Sequence, residues 1–89
     1  MRRLVAKIYG DVQGIGFRFS AKRCADGLGL KGFVRNESDG AVYLEAEGEE
    51  DNLEKLLDWC RDTFDLKLVK KVDAHFSDNI SGYNNFLIE

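Results

Sequence analysis

The chain has 89 residues, of which 44% are hydrophobic and 33% are charged, and its thirteen basic and sixteen acidic residues give a net charge of -3. This size predicts a single domain over residues 1–89 with one hydrophobic core. The acidic balance excludes the broad positive surface of a typical nucleic-acid-binding protein, so any anion site has to be local. No apolar run approaches the length of a membrane-spanning helix, which favours a cytoplasmic protein without a membrane partner.

The first strand leads into the most informative segment of the chain. Residues 3–9 alternate as in a half-buried strand, with Leu4, Ala6 and Ile8 on the inner face. The segment Gly10 to Arg18 then contains three glycines and ends on an arginine. Glycine permits positive φ, so successive N–H groups can converge on one oxyanion, and an arginine can hold two of its oxygens. This loop is therefore a candidate phosphate site.

A helix and a hairpin are predicted next. The helix begins at Phe17, and its apolar stripe consists of Phe17, Ala21, Cys24, Ala25 and Leu28. Residues 31–36 form a short strand, residues 37–40 have the composition of a tight turn, and residues 41–47 form the next strand. In this strand the side chains predicted to point inward are Val42, Leu44 and Ala46, and those predicted to point outward are Tyr43, Glu45 and Glu47.

The second half of the chain again reads as a helix followed by a strand. Acidic residues 49–51 favour a helix start, and the buried stripe of this helix is predicted to be Leu53, Leu56, Leu57, Cys60 and Phe64. Residues 66–76 form a strand, and the apolar Val69 on its otherwise polar side suggests partial cover of both faces. Residues 86–88 form a short last strand. The order βαββαβ with one appended strand predicts an α+β, ferredoxin-like split βαβ fold, in which two helices cover one face of an antiparallel sheet.

Other residues with reactive side chains have ordinary structural interpretations. Cys24 and Cys60 lie on apolar stripes and are interpreted as reduced core residues, although the sequence leaves one disulfide open. Neither cysteine precedes an arginine-closed phosphate loop, as a cysteine phosphatase would require. The single histidine, His75, is expected to be exposed, and Trp59 is expected to be partly buried. Because no His/Cys cluster exists, no metal site is predicted.

Two segments resemble the signature sequences of the acylphosphatase family. The first is Gly10-Asp11-Val12-Gln13-Gly14-Ile15-Gly16-Phe17-Arg18, and the second runs from Leu28-Gly29-Leu30 through Gly32-Phe33-Val34 and Asn36 to Gly48. The chain also closes with Phe86-x-Ile88, as family members do, so the resemblance covers nearly its whole length. Two long motifs in the correct order are far more specific than the glycines alone.

The resemblance implies metal-independent hydrolysis of the carboxyl-phosphate bond of acyl phosphates to a carboxylate and inorganic phosphate, without a cofactor. It implies that Arg18 binds the phosphate and that Asn36 orients the attacking water. The implied phosphate loop consists of Gln13, Gly14, Ile15, Gly16, Phe17 and Arg18. The expected partners are a small acyl phosphate as substrate and inorganic phosphate as product and inhibitor. The protein is expected to be a monomer and to bind no nucleic acid.

Each key residue also has a plain structural interpretation. An arginine at a helix start is usually a solvated charge, an asparagine at a strand end suits a turn, and Gln13 is expected to brace its loop. The combined motif favours the functional interpretation for Arg18 and Asn36.

The chain departs from the family pattern at two places. The segment Asp62-Thr63-Phe64-Asp65 replaces a Gly-Pro, and Glu37 places a carboxylate directly after Asn36, pointing either toward the anion site or into water.

Two alternative functions remain open from the sequence. One is an RNA-binding module of the same fold, because Lys31-Gly32-Phe33-Val34 resembles an RNA-recognition strand, but the following positions Arg35 and Glu37 provide no second stacking ring. The other is a non-catalytic phosphate-binding or interaction domain, like the acylphosphatase-like module of carbamoyl-transfer maturation proteins. The absence of zinc-finger cysteines argues for an enzyme instead.

Overall fold

A computed structural model of the protein describes residues 1–62 and 68–89. The helices and strands in this part of the chain are β1 (Arg2–Gly10), α1 (Phe17–Gly27), β2 (Lys31–Asn36), β3 (Val42–Gly48), α2 (Glu50–Asp62), β4 (Val69–Ser77) and β5 (Phe86–Ile88). The predicted order of elements is confirmed. The predicted stripe residue Phe64 and the predicted strand residues 66–67 lie outside the described residues. No helix in the described ranges is long and apolar enough to cross a membrane.

The strands form one sheet in the order β4-β1-β3-β2-β5. β1 pairs antiparallel with both β3 and β4, and β2 pairs antiparallel with β3. The predicted antiparallel sheet is thus confirmed for four strands. The appended strand β5 differs, because it pairs parallel with β2 and sets Ile88 opposite Val34. This pairing places residues 86–89 beside the end of β2.

Both helices pack on one face of the sheet and enclose a continuous core, as the periodicity predicts. From β1 and β3, Leu4, Ala6, Ile8, Val42, Leu44 and Ala46 are completely buried. The helices cover them with Phe17, Ala21, Ala25, Leu53, Leu56, Leu57 and Cys60. The ring of Trp59, partly buried as expected, lies with its centroid 5.2 Å from that of Phe17, and His75 is exposed.

Both cysteines are free thiols that pack with the helices. Burial raises the pKa of the Cys60 thiol to about 12, and burial also raises the pKa of the Cys24 thiol. Because the thiolate is the reactive form, neither side chain is poised as a nucleophile.

The start of β4 corrects the predicted placement of Val69 on the polar side of its strand. Val69 is 9% exposed and belongs to the core. The register between β1 and β4 shifts between Tyr9 and Gly10, so that Tyr9 pairs with Lys71 and Gly10 with Val69. A bulge of this kind inserts one extra residue and reverses the alternation beyond it.

Glu47 lies on the outward face of the sheet, as predicted, but this face is covered at Glu47. Its side chain is on the sheet face opposite to the helices, yet the residue is only 3% exposed. Residues 78–85, here called the return loop, connect β4 to β5 and cover it. The Glu47 carboxylate accepts hydrogen bonds from the backbone N–H groups of Ser81 at 2.6 Å, Gly82 at 2.9 Å and Tyr83 at 3.4 Å. Strand alternation assigns a side chain to a face but does not say what covers that face.

The same outer face carries a cluster of three aromatic rings, which the sequence of β2 alone does not predict. The Phe33 ring centroid lies 6.0 Å from that of Tyr43 and 5.8 Å from that of Tyr83. Phe33 is 9% exposed because these neighbours cover it. Burial, followed by a hydrogen bond donated to Glu45, raises the pKa of Tyr43 to about 12.

Candidate active site

Residues 11–16, here called the glycine loop, connect β1 to the start of α1. Gly14 and Gly16 have φ angles of +79° and +82°, in the left-handed region that favours glycine. Gly16 is the N-cap of α1, and its carbonyl accepts a hydrogen bond from the N–H of Ser20 at 3.0 Å. No acidic residue occupies the first turn of α1. The positive end of this helix therefore has no carboxylate from its own first turn.

Three backbone N–H groups of the glycine loop are available to a ligand. Gly14, Ile15 and Gly16 are exposed, and their N–H groups donate no hydrogen bond to any residue in the described part of the chain. Successive N–H groups at a helix N-terminus form a site for a small anion because the partial positive charges point at the same place.

Gln13 braces this loop, as the sequence predicts. Its Nε2 donates to the backbone carbonyls of Glu37 at 2.7 Å and Ala41 at 2.8 Å, both in the turn between β2 and β3. That turn is itself held by Asp39, whose carboxylate accepts from the N–H of Ala41 and pairs with Lys7 at 2.9 Å. The hydrogen bond from Lys7, with that from Ala41, lowers the pKa of Asp39. The glycine loop is thus fixed against the hairpin.

Arg18 and Asn36 come from different elements and meet at one cavity. Arg18 is the second residue of α1, and its Nη1 donates to the backbone carbonyl of Glu89 at 3.0 Å. Asn36 is the last residue of β2, in the same alternation as the core residue Val34. Its Oδ1 is buried without a hydrogen-bond partner, a state shared in residues 1–62 and 68–89 only with Nε of Arg3. A buried carbonyl oxygen left in this state is costly, so Oδ1 is an acceptor that the fold itself does not use.

The cavity holds about 110 Å³ and is lined by Val12, Gly14, Gly16, Phe17, Arg18, Phe19, Asn36 and Ile88. Five of the predicted site residues line it, namely Gly14, Gly16, Phe17, Arg18 and Asn36. The other two, Gln13 and Ile15, do not line it, and Gln13 acts instead through its brace. Sequence reasoning missed Val12, Phe19 and Ile88 as lining residues. The available signal for Phe19 was that this aromatic residue follows Arg18 and falls outside the apolar stripe of α1.

The position of Glu37, left open by the sequence, is now determined. Its carboxylate lies 3.3 Å from Nε of Arg35. Arg35 stacks on the rings of Phe33 and Tyr43, on the sheet face opposite to Asn36. Glu37 therefore does not line the cavity, and its charge is paired with an arginine outside it.

The arrangement can bind a tetrahedral anion and position a water molecule. Arg18 and the glycine-loop amides supply donors, and Asn36 Oδ1 supplies an acceptor. Arg18 is the only charged side chain among the residues that line the cavity. Across residues 1–62 and 68–89, no three His, Cys, Asp or Glu side chains come together as a metal site would require.

The whole chain is similar to known acylphosphatases. Residues 4–88 match the family model described as Acylphosphatase. The chain is 42% identical over 87 residues to an acylphosphatase of Salinibacter ruber, covering 98% of this chain and 92% of that one. The crystal structure of acylphosphatase from Bacillus subtilis superposes with a TM-score of 0.94 at 30% identity, covering 100% and 99% of the two chains.

A larger protein contains a similar unit. The crystal structure of full-length HypF in its phosphate- and nucleotide-bound form matches with a TM-score of 0.82 at 26% identity. The match covers 100% of this chain but 12% of HypF. The match to the acylphosphatases, by contrast, extends over nearly the full length of both partners. The chain described here belongs to the acylphosphatase family.

Proposed function

We propose that this protein is an acylphosphatase that hydrolyses the carboxyl-phosphate bond of acyl phosphates by attack of water on phosphorus. The observation that carries the proposal is the buried, unpartnered Oδ1 of Asn36. Asn36 lines the same small cavity as Arg18, Gly14 and Gly16. An acceptor opposite a set of anion donors is the arrangement that a phosphate and an attacking water require.

The phosphate group binds in the loop formed by residues 13–18. The planar guanidinium of Arg18 holds two phosphate oxygens, and the N–H groups of Gly14, Ile15 and Gly16 hold the remaining charge at the positive end of α1. These donors also stabilise the negative charge on the equatorial oxygens in the transition state, which is the main requirement of phosphoryl transfer.

The water molecule is positioned by Asn36. Its Oδ1 accepts a hydrogen bond from the water and directs a water lone pair at phosphorus. The new bond forms between water oxygen and phosphorus, and the bond from phosphorus to the acyl oxygen breaks. The leaving carboxylate keeps the electron pair. Since the conjugate acid of such a group has a pKa of about 4, it needs no general acid. The substrate phosphate takes the proton of the water.

Neither alternative function gains a specific supporting observation. The ring cluster of the outer face does not offer an RNA-stacking platform, because Phe33 is 9% exposed beneath its neighbours. A non-catalytic phosphate-binding domain would require only hydrogen-bond donors, so it would not explain the unpartnered acceptor Oδ1 of Asn36. We further propose a monomer that acts in the cytoplasm on free acyl phosphates.

Hydrolysis in oxygen-18 water tests the reaction. The protein is incubated with benzoyl phosphate and a chelator, and both products are analysed by mass spectrometry. We expect one labelled oxygen in the inorganic phosphate and none in the benzoate, because water attacks phosphorus. Label in the benzoate, or loss of turnover with the chelator that returns on adding a metal, would contradict the mechanism. Light scattering tests the monomer.

A further inference from the structure

The cavity accommodates the phosphate but leaves no room for the rest of a substrate. Pockets that enclose a whole organic ligand commonly measure about 300–1,000 Å³. The cavity of about 110 Å³ suits a small anion and a water molecule. If the proposed function is correct, the acyl group must therefore lie at the mouth of the cavity.

The wall at this mouth is apolar. Phe19 lines the cavity and is nevertheless 69% exposed, so its ring lies at the entrance rather than in the core. Ile88 lines the cavity from β5 and is half-buried. Phe19 is separate from the buried stripe of α1, whose buried residues are Phe17, Ala21 and Ala25. The ring is thus positioned to contact a ligand without serving the core.

In the described part of the chain, no second cation lines the cavity to pair with a charged acyl group. Among the cavity-lining residues Arg18 alone is charged, and it is engaged by the phosphate in the proposed complex. Lys22, one turn further along α1, donates to Asp26 and to the backbone carbonyl of Phe86. Arg23 lines a separate groove beside Trp59. A carboxylate on the acyl chain would consequently remain unpaired beside an aromatic ring, which is unfavourable.

We infer that Phe19 and Ile88 form an acyl subsite that selects uncharged, apolar acyl phosphates, such as aryl or branched aliphatic ones, over acyl groups that carry a second negative charge. The inference deepens the proposed function and depends on it. Phe19 acts as a specificity-determining residue because its ring packs against the acyl group while the phosphate is held below.

The test compares kcat/KM for benzoyl, acetyl and succinoyl phosphate. In the wild-type protein benzoyl phosphate is expected to be the best of the three and succinoyl phosphate the poorest. Phe19→Ala is expected to lower the benzoyl-to-acetyl ratio roughly tenfold, the scale of selectivity for small apolar contacts. Phe19→Lys supplies the missing cation and is expected to raise the succinoyl-to-benzoyl ratio. Leu87→Ala removes a comparably exposed apolar side chain outside the cavity and is expected to leave the ratios unchanged.

The possible outcomes distinguish failure of the proposed acyl subsite from failure of the proposed function. Equal losses for benzoyl and acetyl phosphate in Phe19→Ala would overturn the subsite while leaving the proposed function intact. A wild-type preference for succinoyl phosphate would do the same. If the wild-type protein releases phosphate from none of the three compounds, the proposed function itself fails and the subsite with it.

Discussion

The return loop and the glycine loop both have clustered backbone N–H groups, and they differ in whether the described chain supplies an acceptor for them. In the return loop, Ser81, Gly82 and Tyr83 donate to the buried carboxylate of Glu47. In the glycine loop, the N–H groups of Gly14, Ile15 and Gly16 meet no acceptor in the described residues. The return loop carries its anion within the chain, whereas the glycine loop is proposed to take its anion from a bound phosphate.

This difference shows how one physical interaction serves stability in one place and binding in another. Amide donors on a carboxylate of the same chain tie a loop to the sheet, because a buried charge must be satisfied. Unpartnered amide donors at a helix N-terminus attract anions, and this attraction contributes nothing to the stability of the unliganded protein. Loss of the Glu47 carboxylate should therefore lower stability, whereas loss of the groups proposed to hold a bound phosphate should lower activity.

The largest expected effect follows from Arg18→Ala. Removal of the guanidinium takes the only charged group from the cavity lining, so kcat/KM for benzoyl phosphate should fall about a thousandfold or more. Inorganic phosphate, which is expected to raise the melting temperature of the wild-type protein by binding the native state, should no longer do so. The melting temperature without phosphate should change little, because Arg18 makes one exposed hydrogen bond. Retained phosphate stabilisation in this variant would contradict the assignment.

Asn36→Ala should have the next largest effect on activity. Because Oδ1 is proposed to hold the water and not the phosphate, kcat should fall roughly a hundredfold while inorganic phosphate inhibits as in the wild type. Steady-state kinetics with phosphate as competitor measures both values. An unchanged kcat together with weaker inhibition by inorganic phosphate would contradict the proposed role and would indicate that Asn36 binds the phosphate and not the water.

Glu47→Gln tests the return loop and should lower stability without changing phosphate binding. The amide keeps a single acceptor oxygen for three N–H donors, so the free energy of unfolding should fall by about 1–3 kcal/mol. Phosphate inhibition should be unaffected in the folded protein. Urea unfolding measures the first effect. Glu50→Gln is the matched control, because it removes a partly exposed carboxylate paired with Arg2, where a loss below about 1 kcal/mol is expected.

A pair of glycines compares the two loops directly. Gly16 and Gly82 have φ angles of +82° and +81°, and a Cβ at either position would meet no atom within 4 Å. Alanine at each should lower the free energy of unfolding by a similar amount, about 1–2 kcal/mol, since the backbone strain is the same. Only Gly16→Ala should weaken phosphate inhibition. If Gly82→Ala weakened phosphate inhibition equally, the two loops would not be functionally separate.

The smallest effect concerns alkaline pH. The pKa of Tyr43 is raised to about 12 by burial and by its hydrogen bond to Glu45, which also accepts a hydrogen bond from Tyr83 of the return loop. A raised folded-state pKa gives stability that is present below the ordinary pKa of 10 and is lost as the pH rises through about 12. Tyrosinate absorbance should show one group ionising in that range, absent from Tyr43→Phe. Ionisation of all three tyrosines near their ordinary pKa would contradict it.

Local pattern was sufficient for most of the fold. The alternation in β1 identified Leu4, Ala6 and Ile8 as buried, and the predicted bounds of β2 are those observed. These predictions succeed because a period of two or of 3.6 residues is set by backbone geometry within one element. The same reasoning failed for Val69, because the bulge that follows it depends on pairing with the distant strand β1. It placed Glu47 on the correct face but could not show that the return loop covers it.

The sequence by itself determined the order of elements, the core faces of β1 and β3, the acylphosphatase resemblance and the residues that carry it. Tertiary structure decided that Arg18 and Asn36 border one cavity, that Gln13 braces the loop from outside it, and that Phe19 and Ile88 form its mouth. The reason is physical. A motif records which residues are near one another along the chain, whereas the cavity depends on the parallel pairing of β5 with β2, which joins residues more than fifty positions apart.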